Sequence, residues 1–349
     1  VFEHNLKPKD IGVKERIVST MSSIKASLTK VLGLFFVVVA ILAISFYALK
    51  IVHTKPSKVA MTPVVVPEVL GASTVKSPQD LPSVTHTDLS EQIVPQLNSS
   101  IAAPNLSSGS ALAYENNGPI LYSYNPDQKV PIASLTKLMT AFLVMNDSRY
   151  GQPVTITAGD LVNISPILHL KVGDVVMPSD LIQSMLVGSA NDAAMTLANH
   201  FSTIDKTFLE QMNAQAQKLG MTSTHYSTPI GFDDPQNYST ARDLQKLVYA
   251  VMPVLPFSKT DHAASYSFKS ISTDNPTLYS VKTTSKLPDV QPNIGVLKTG
   301  FTDDAKQAMV AESNIGGHEV ITIVLQSDNR DKDTSAIFNY ISKAYSFTH

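Results

Sequence analysis

Residues 131–144 read PIASLTKLMTAFLV, and within them Ser134, Leu135, Thr136 and Lys137 open a run of apolar side chains at helical spacing. Pro131 lies just upstream, where its missing N–H costs a helix nothing. The spacing predicts a helix over Leu135 to Met145 with Ser134 at its N-terminus. A lysine three residues after a serine shares its helical face. A serine hydroxyl is a weak nucleophile at neutral pH, and a neighbouring amine activates it if that amine is kept deprotonated. Burial and a second cation both lower a lysine's proton affinity. Ser134 is therefore the candidate nucleophile and Lys137 its candidate base.

Two further motifs follow in order. Ser189, Ala190 and Asn191 supply a hydroxyl that can relay a proton to a leaving amine, and an amide that can orient both the lysine and a substrate backbone. Lys298, Thr299 and Gly300 supply a cation, a hydroxyl and a bare backbone. Lys298 and Thr299 suit a terminal carboxylate, Gly300 lets a peptide lie close along a strand edge, and Lys298 is also a candidate for the second cation near Lys137. The backbone N–H groups of Ser134 and Phe301 are the candidates for an oxyanion hole. Each motif alone recurs by chance. In this order, with Ser134 opening a helix and Lys298 ending a strand, they point to serine acyl transfer.

Working outward, SALAYEN and PILYSYN flank Asn117-Gly118, a hairpin signal that places two antiparallel strands near Ser108. Helical patterns cover Pro178 to Val187, Asp192 to His200, Lys206 to Leu219 and Thr240 to Val251, forming a mostly helical insertion. Strand signals return from about Ser265, with IGVLKTG, KQAMVAES and VITIVLQ, the last two joined at Gly316-Gly317. Thr334 to Tyr345 reads as a closing helix. The expected fold is α+β, an antiparallel sheet flanked by helices with a helical subdomain.

The stretches PIASLTKLMTAFLV, MLVGSANDAAMTLA, LGMTSTHYSTPIGFDDPQNYSTARDL and VLKTGFTDDA resemble the D-alanyl-D-alanine carboxypeptidases among the low-molecular-mass penicillin-binding proteins. The resemblance runs from about Ser108 to the C-terminus. The block from Gly220 to Leu244 separates that family from serine β-lactamases, which share the three short motifs. It implies a β-lactamase-like, DD-peptidase fold and a peptidoglycan stem peptide ending in D-Ala-D-Ala as substrate. It also implies an acyl-enzyme on Ser134 and covalent inhibition by β-lactam antibiotics. By the same resemblance Lys137 is the general base, Ser189 and Asn191 the second element, and Lys298, Thr299 and Gly300 the third. The sequence departs from the family at Lys306, where a glycine is usual, and at Ala308, where a small polar residue or cysteine is frequent. Alternation along a strand places Lys306 towards solvent.

Composition narrows the alternatives. The 349 residues are 43% hydrophobic with a formal net charge of −2, which leaves no electrostatic footprint for nucleic acid. Cysteine is absent, so there is no thiol nucleophile, thiolate zinc site or disulfide. The nine histidines form no H-E-x-x-H or i,i+4 pair, and neither metal nor cofactor is expected.

Val31 to Leu49 reads VLGLFFVVVAILAISFYAL, uncharged and about long enough to cross a bilayer as a helix. Six cations precede it (Lys7, Lys9, Lys14, Arg16, Lys25, Lys30), which predicts a cytoplasmic N-terminus. The expected organisation is a cytoplasmic segment at 1–30, a single-pass anchor at 31–52, a Pro-, Ser- and Val-rich linker at 53–107 and a catalytic domain at 108–349 outside the bacterial cell membrane. The family's usual attachment is C-terminal, whereas this one is N-terminal. The relaxed linker would span about 40 Å.

Three rivals to a carboxypeptidase share the motifs. A DD-endopeptidase would cut cross-links with the same residues. A β-lactamase of the best-known class needs a deacylating glutamate, and none occurs between Glu210 and Glu312. A catalytically silent wall-binding protein would have no need to keep every one of these residues.

Overall fold

The computed structural model describes residues 95–162, 164–165, 167–255, 264–271 and 275–347. The expected segment 1–30, the apolar run 31–52 and the linker as far as residue 94 lie outside the described residues. Among the described residues no helix is long and apolar enough to cross a membrane.

The first half comprises β1 (Gln96–Leu97), β2 (Ser110–Glu115), β3 (Ile120–Tyr124), β4 (Val130–Pro131), a 3-10 turn over Ala133–Thr136, α1 (Lys137–Met145), β5 (Val154–Thr155) and β6 (Val175–Val176). Next come α2 (Pro178–Val187), α3 (Asn191–Phe201), α4 (Phe208–Lys218), β7 (Tyr238–Ser239) and α5 (Ala241–Val251). The chain continues through β8 (Ser265–Lys269), β9 (Leu278–Lys282), α6 (Leu287–Val290), β10 (Ile294–Thr302), β11 (Lys306–Ile315), β12 (His318–Ser327), α7 (Arg330–Ala344) and β13 (Tyr345–Ser346).

One antiparallel sheet organises the domain, in the order β10-β11-β12-β2-β3. The opening hairpin is thus inserted beside the last long strand. Its turn closes with the Gly118 N–H on the Glu115 carbonyl at 2.8 Å, and Asn117 takes the left-handed conformation at φ 59° that this residue tolerates. Alternation along β2 sorts the two faces. Ala111 and Ala113, with Met309, Ala311, Val320 and Val324, meet Ile337, Phe338 and Ile341 of α7. Leu112 and Tyr114, with Val310, Ile321, Ile323 and Leu325, join the larger core that the helical half completes. Small side chains on the α7 face let that helix approach closely.

The helical half follows its caps. Thr207 and Glu210 form a reciprocal capping box at α4, and the Thr240 hydroxyl accepts the Asp243 N–H at 3.0 Å at the start of α5. Pro178 occupies the first turn of α2.

Four expectations shift. The linker was expected to reach residue 107, yet β1 pairs with β13 through Gln96 opposite Ser346 and Leu97 opposite Tyr345. Ser107 also donates to the Asp333 carboxylate through its N–H at 3.1 Å and its hydroxyl at 2.8 Å. A two-residue edge pairing asks little of the prolines around it, which is why their spacing hides it. The closing helix starts at Arg330, not Thr334, because Asn329 caps it by accepting the Lys332 N–H while the charged first turn carries no apolar stripe. Lys298 lies inside β10, not at its end, since the ladder continues through Phe301 opposite Gln307 and Thr302 opposite Lys306. Ser134 sits in a tight 3-10 turn that leads into α1, which itself begins at Lys137.

Candidate active site

Three pieces of backbone converge on one open cleft of about 690 Å³, whose lining includes Ser134, Ser189, Asn191, Thr299, Gly300 and Phe301. Lys137 and Lys298, the remaining two residues of the expected site, lie beneath it with no exposed surface. Ala133, immediately before Ser134, has φ 46°, and Ser189, in the junction between α2 and α3, has φ 59°. Left-handed backbone at a non-glycine residue costs on the order of 1 kcal/mol, and both instances flank the reacting groups. Gly300 lets β10 lie against the serine turn: a Cβ there would come within 3.1 Å of the Ile132 carbonyl oxygen and of the Ala133 Cβ.

Lys137 Nζ is held at 2.8 Å from each of three oxygens: Ser134 Oγ, Asn191 Oδ1 and the Ile230 carbonyl. Burial pushes its proton affinity from 10.5 down to about 7, opposed by the charge of Asp192. A neutral amine has two N–H donors and one lone pair. The amide oxygen and the carbonyl can only accept, so they take the two donors and leave the lone pair facing the serine hydroxyl. The geometry thus aims Lys137 as a base at Ser134.

The Ile230 carbonyl reaches the lysine because of Gly231. That glycine has φ 87°, and a Cβ on it would stand 2.0 Å from the Ala133 carbonyl oxygen. The loop is pinned from both sides, by the Thr140 hydroxyl donating to the Pro229 carbonyl at 2.8 Å and the Asn237 amide donating to Thr136 Oγ1 at 3.1 Å. Gly231→Ala is therefore expected to destabilise the domain by ~2–3 kcal/mol, through both the clash and the positive φ. It should also slow covalent labelling by a fluorescent penicillin at least about tenfold as the lysine loses its third contact. Thermal unfolding and labelling rate, measured on one preparation, check both effects.

Lys298 Nζ donates to the Thr299 carbonyl at 2.7 Å. Burial, then the neighbouring Lys137 and Arg330, hold it well below the usual lysine range. The cations that line the cleft are instead Lys286 and Arg330, the latter the first residue of α7 and the one bonded to the cleft's own backbone. Its Nη1 donates to the Gly300 carbonyl at 2.8 Å, and its Nη2 to the Thr284 carbonyl at 3.2 Å. Burial lowers its proton affinity, opposed by Asp331, but a guanidinium stays charged. Thr284 and Thr299 share a hydroxyl hydrogen bond of 2.7 Å beside it. Two hydroxyls and a guanidinium at one end of a cleft form a receptor for a carboxylate. Reading the sequence missed Arg330 and Thr284, since neither stands in a motif and each is brought in only by the sheet and α7.

Lys306 leaves the cleft clear. Its Nζ pairs with Asp328 Oδ1 at 2.8 Å, both side chains being more than half exposed. Its φ is 52°, a backbone conformation that suits the glycine usual at this position. Ala308 is buried opposite Gly300 in β11.

The profile of a peptidase family described as D-alanyl-D-alanine carboxypeptidase matches residues 97–329. The chain is 36% identical over 228 residues to the D-alanyl-D-alanine endopeptidase of Pseudomonas aeruginosa, covering 64% of this chain and 72% of that protein. It is 32% identical over 225 residues to the D-alanyl-D-alanine carboxypeptidase DacA of Haemophilus influenzae, covering 60% of this chain and 54% of that protein. The chain thus spans about half the length of that carboxypeptidase. Among solved structures it is similar to the Streptomyces K15 DD-transpeptidase, with a TM-score of 0.64 and 29% identity over 69% of this chain and 98% of the other.

Proposed function

Since the chain belongs to the D-alanyl-D-alanine carboxypeptidase family of serine DD-peptidases, we propose that it removes the terminal D-alanine from peptidoglycan stem peptides through an ester on Ser134. One observation carries this reading. A wholly buried lysine amine, with its proton affinity lowered to about 7, stands 2.8 Å from Ser134 Oγ under a cleft that has a guanidinium at one end.

The chemistry follows from the positions. The substrate's carboxylate docks on Arg330, Thr299 and Thr284, and its backbone runs along β10, with the Asn191 amide steadying it. Lys137 takes the Ser134 proton as Oγ attacks the carbonyl carbon of the penultimate D-alanine. The N–H groups of Ser134 and Phe301 hold the resulting oxyanion. The Ser189 hydroxyl hands a proton to the departing amine, which Lys137 replenishes, and free D-alanine leaves. Water then attacks the ester and gives its proton to Lys137, which returns it to Ser134 Oγ as the shortened peptide leaves as a carboxylic acid. A β-lactam would enter the first step and stop at the ester.

A second reading rests on the relatives named D-alanyl-D-alanine endopeptidases, including the one from Pseudomonas aeruginosa. The same residues would cut a cross-link if the cleft admits a longer group beyond the carboxylate receptor. The deciding experiment incubates the chain with a fluorescent penicillin, with a pentapeptide ending in D-Ala-D-Ala and with a cross-linked dimer. Label with D-alanine release from the pentapeptide establishes the carboxypeptidase. Label with cleavage of the dimer alone establishes the endopeptidase, and absence of label overturns both.

The location belongs to the same proposal. Residues 31–52 anchor the chain in the bacterial cell membrane, with 1–30 cytoplasmic and the catalytic domain outside, supported by the uncharged apolar run and the cations before it. The full chain should sediment with membranes and resist extraction by salt. Recovery in the soluble fraction would overturn the anchor.

A further inference from the structure

Asp192 directly follows Asn191 and reads as the ordinary acid of a helix first turn. Its surroundings are less ordinary. The carboxylate has no exposed surface, and a buried acid needs partners. One partner is its own helix, the Ala193 N–H at 3.2 Å. The others come from a different segment: Oδ1 accepts from the N–H groups of Ile167 at 3.4 Å and Leu168 at 3.3 Å, and Oδ2 from that of Leu170 at 3.3 Å. Ile167 lines the cleft. The same segment presents the Ser165 carbonyl, which receives Asn191 Nδ2 at 3.0 Å while Asn191 Oδ1 receives Lys137. The segment therefore decides which way the Asn191 amide faces, and Asp192 holds the segment.

We propose that Asp192 is a positioning residue for acylation: by gathering three backbone N–H groups of the cleft wall it fixes Asn191, and through Asn191 the lone pair of Lys137, towards Ser134. The inference rests on the reading of Ser134 and Lys137 as nucleophile and base, which labelling of the unaltered chain tests separately.

The carboxylate also acts through space. It raises the proton affinity of Lys137 against the effect of burial. Among the described residues the other titratable group facing Lys137 is Lys298 of β10, whose own proton affinity is held well below the usual lysine range, while Ser134, Asn191 and the Ile230 carbonyl are neutral contacts. Removing the negative charge therefore favours the neutral amine. Asp192→Asn keeps the shape, removes the charge and places a donor among donors.

The test follows the rate of penicillin labelling against pH for the unaltered chain, Asp192→Asn and Asp192→Glu, with amide hydrogen exchange at Leu168 and Leu170. In Asp192→Asn the midpoint of the rising limb should move down by about one pH unit, as expected when an opposite charge is removed. Its plateau should fall roughly ten- to a hundredfold and both amides should exchange faster. Asp192→Glu retains the charge but not the reach, so its midpoint should stay while its plateau falls. A lower plateau with an unmoved midpoint and unchanged exchange would reduce Asp192 to a helix-capping acid and overturn the proposal. If Asp192→Asn fails to fold, Asp192→Glu decides alone, and a rate equal to the unaltered chain's would overturn it.

Discussion

Ser134→Ala is expected to abolish covalent labelling by penicillin and all release of D-alanine while leaving the thermal midpoint within a few degrees. Ser134 lies in the 3-10 turn with its Oγ 2.8 Å from Lys137 Nζ, so its loss deletes the oxygen that forms the ester but little packing. Removing the nucleophile of a coupled catalytic set costs about as much as removing the whole set, of order a million-fold. Gel fluorescence after incubation with labelled penicillin reads the outcome directly. Label that persists on the alanine variant would mean that another hydroxyl is acylated and that the cleft has been read from the wrong atom.

Lys137→Met and Lys137→Arg should each slow acylation by about three to four orders of magnitude. The two fail for different reasons. Methionine fills the space without a lone pair, whereas arginine brings a charge that does not come off. The unaltered chain carries the companion signature: labelling should rise about tenfold per pH unit up to about pH 7 and then level, following the fraction of neutral Lys137. Stability has its own sign. Burial depresses this amine from 10.5 to about 7, so between those values the unfolded chain binds the extra proton and folding becomes more favourable as pH rises. An activity limb near pH 10 would show that burial does not set the base.

The helices of the insertion were legible because apolar spacing and capping residues are local: Pro178 to Val187 has the expected bounds, and Thr240 caps α5. The hairpin at Asn117-Gly118 was legible for the same reason. The site was legible as far as side chains in contiguous motifs carry it. What escaped depends on distant chain. Arg330 looks like the start of a charged helix turn and reaches the cleft only because α7 packs across the sheet. The Ile230 carbonyl is backbone, which no residue type advertises, although Gly231 marks the place where the chain must come close. Lys298 reads from sequence as the end of a strand, yet the ladder runs on to Thr302, and Gly300, expected to make room for a peptide, also makes room for the serine turn.

Strand β10 ends the described sheet, and its outer side is where a stem peptide would lie. A strand edge open to a substrate is equally open to the edge of another molecule, the usual route to aggregation. Here the register slips between Val296 and Lys298, a lysine side chain is buried at the slip, and Arg330 already occupies the Gly300 carbonyl. Such an edge offers a good ladder for only a few residues. It is long enough to hold a short peptide ending in a carboxylate and too interrupted to template a foreign strand, so the features that would select the guest also guard the edge against pairing with another molecule.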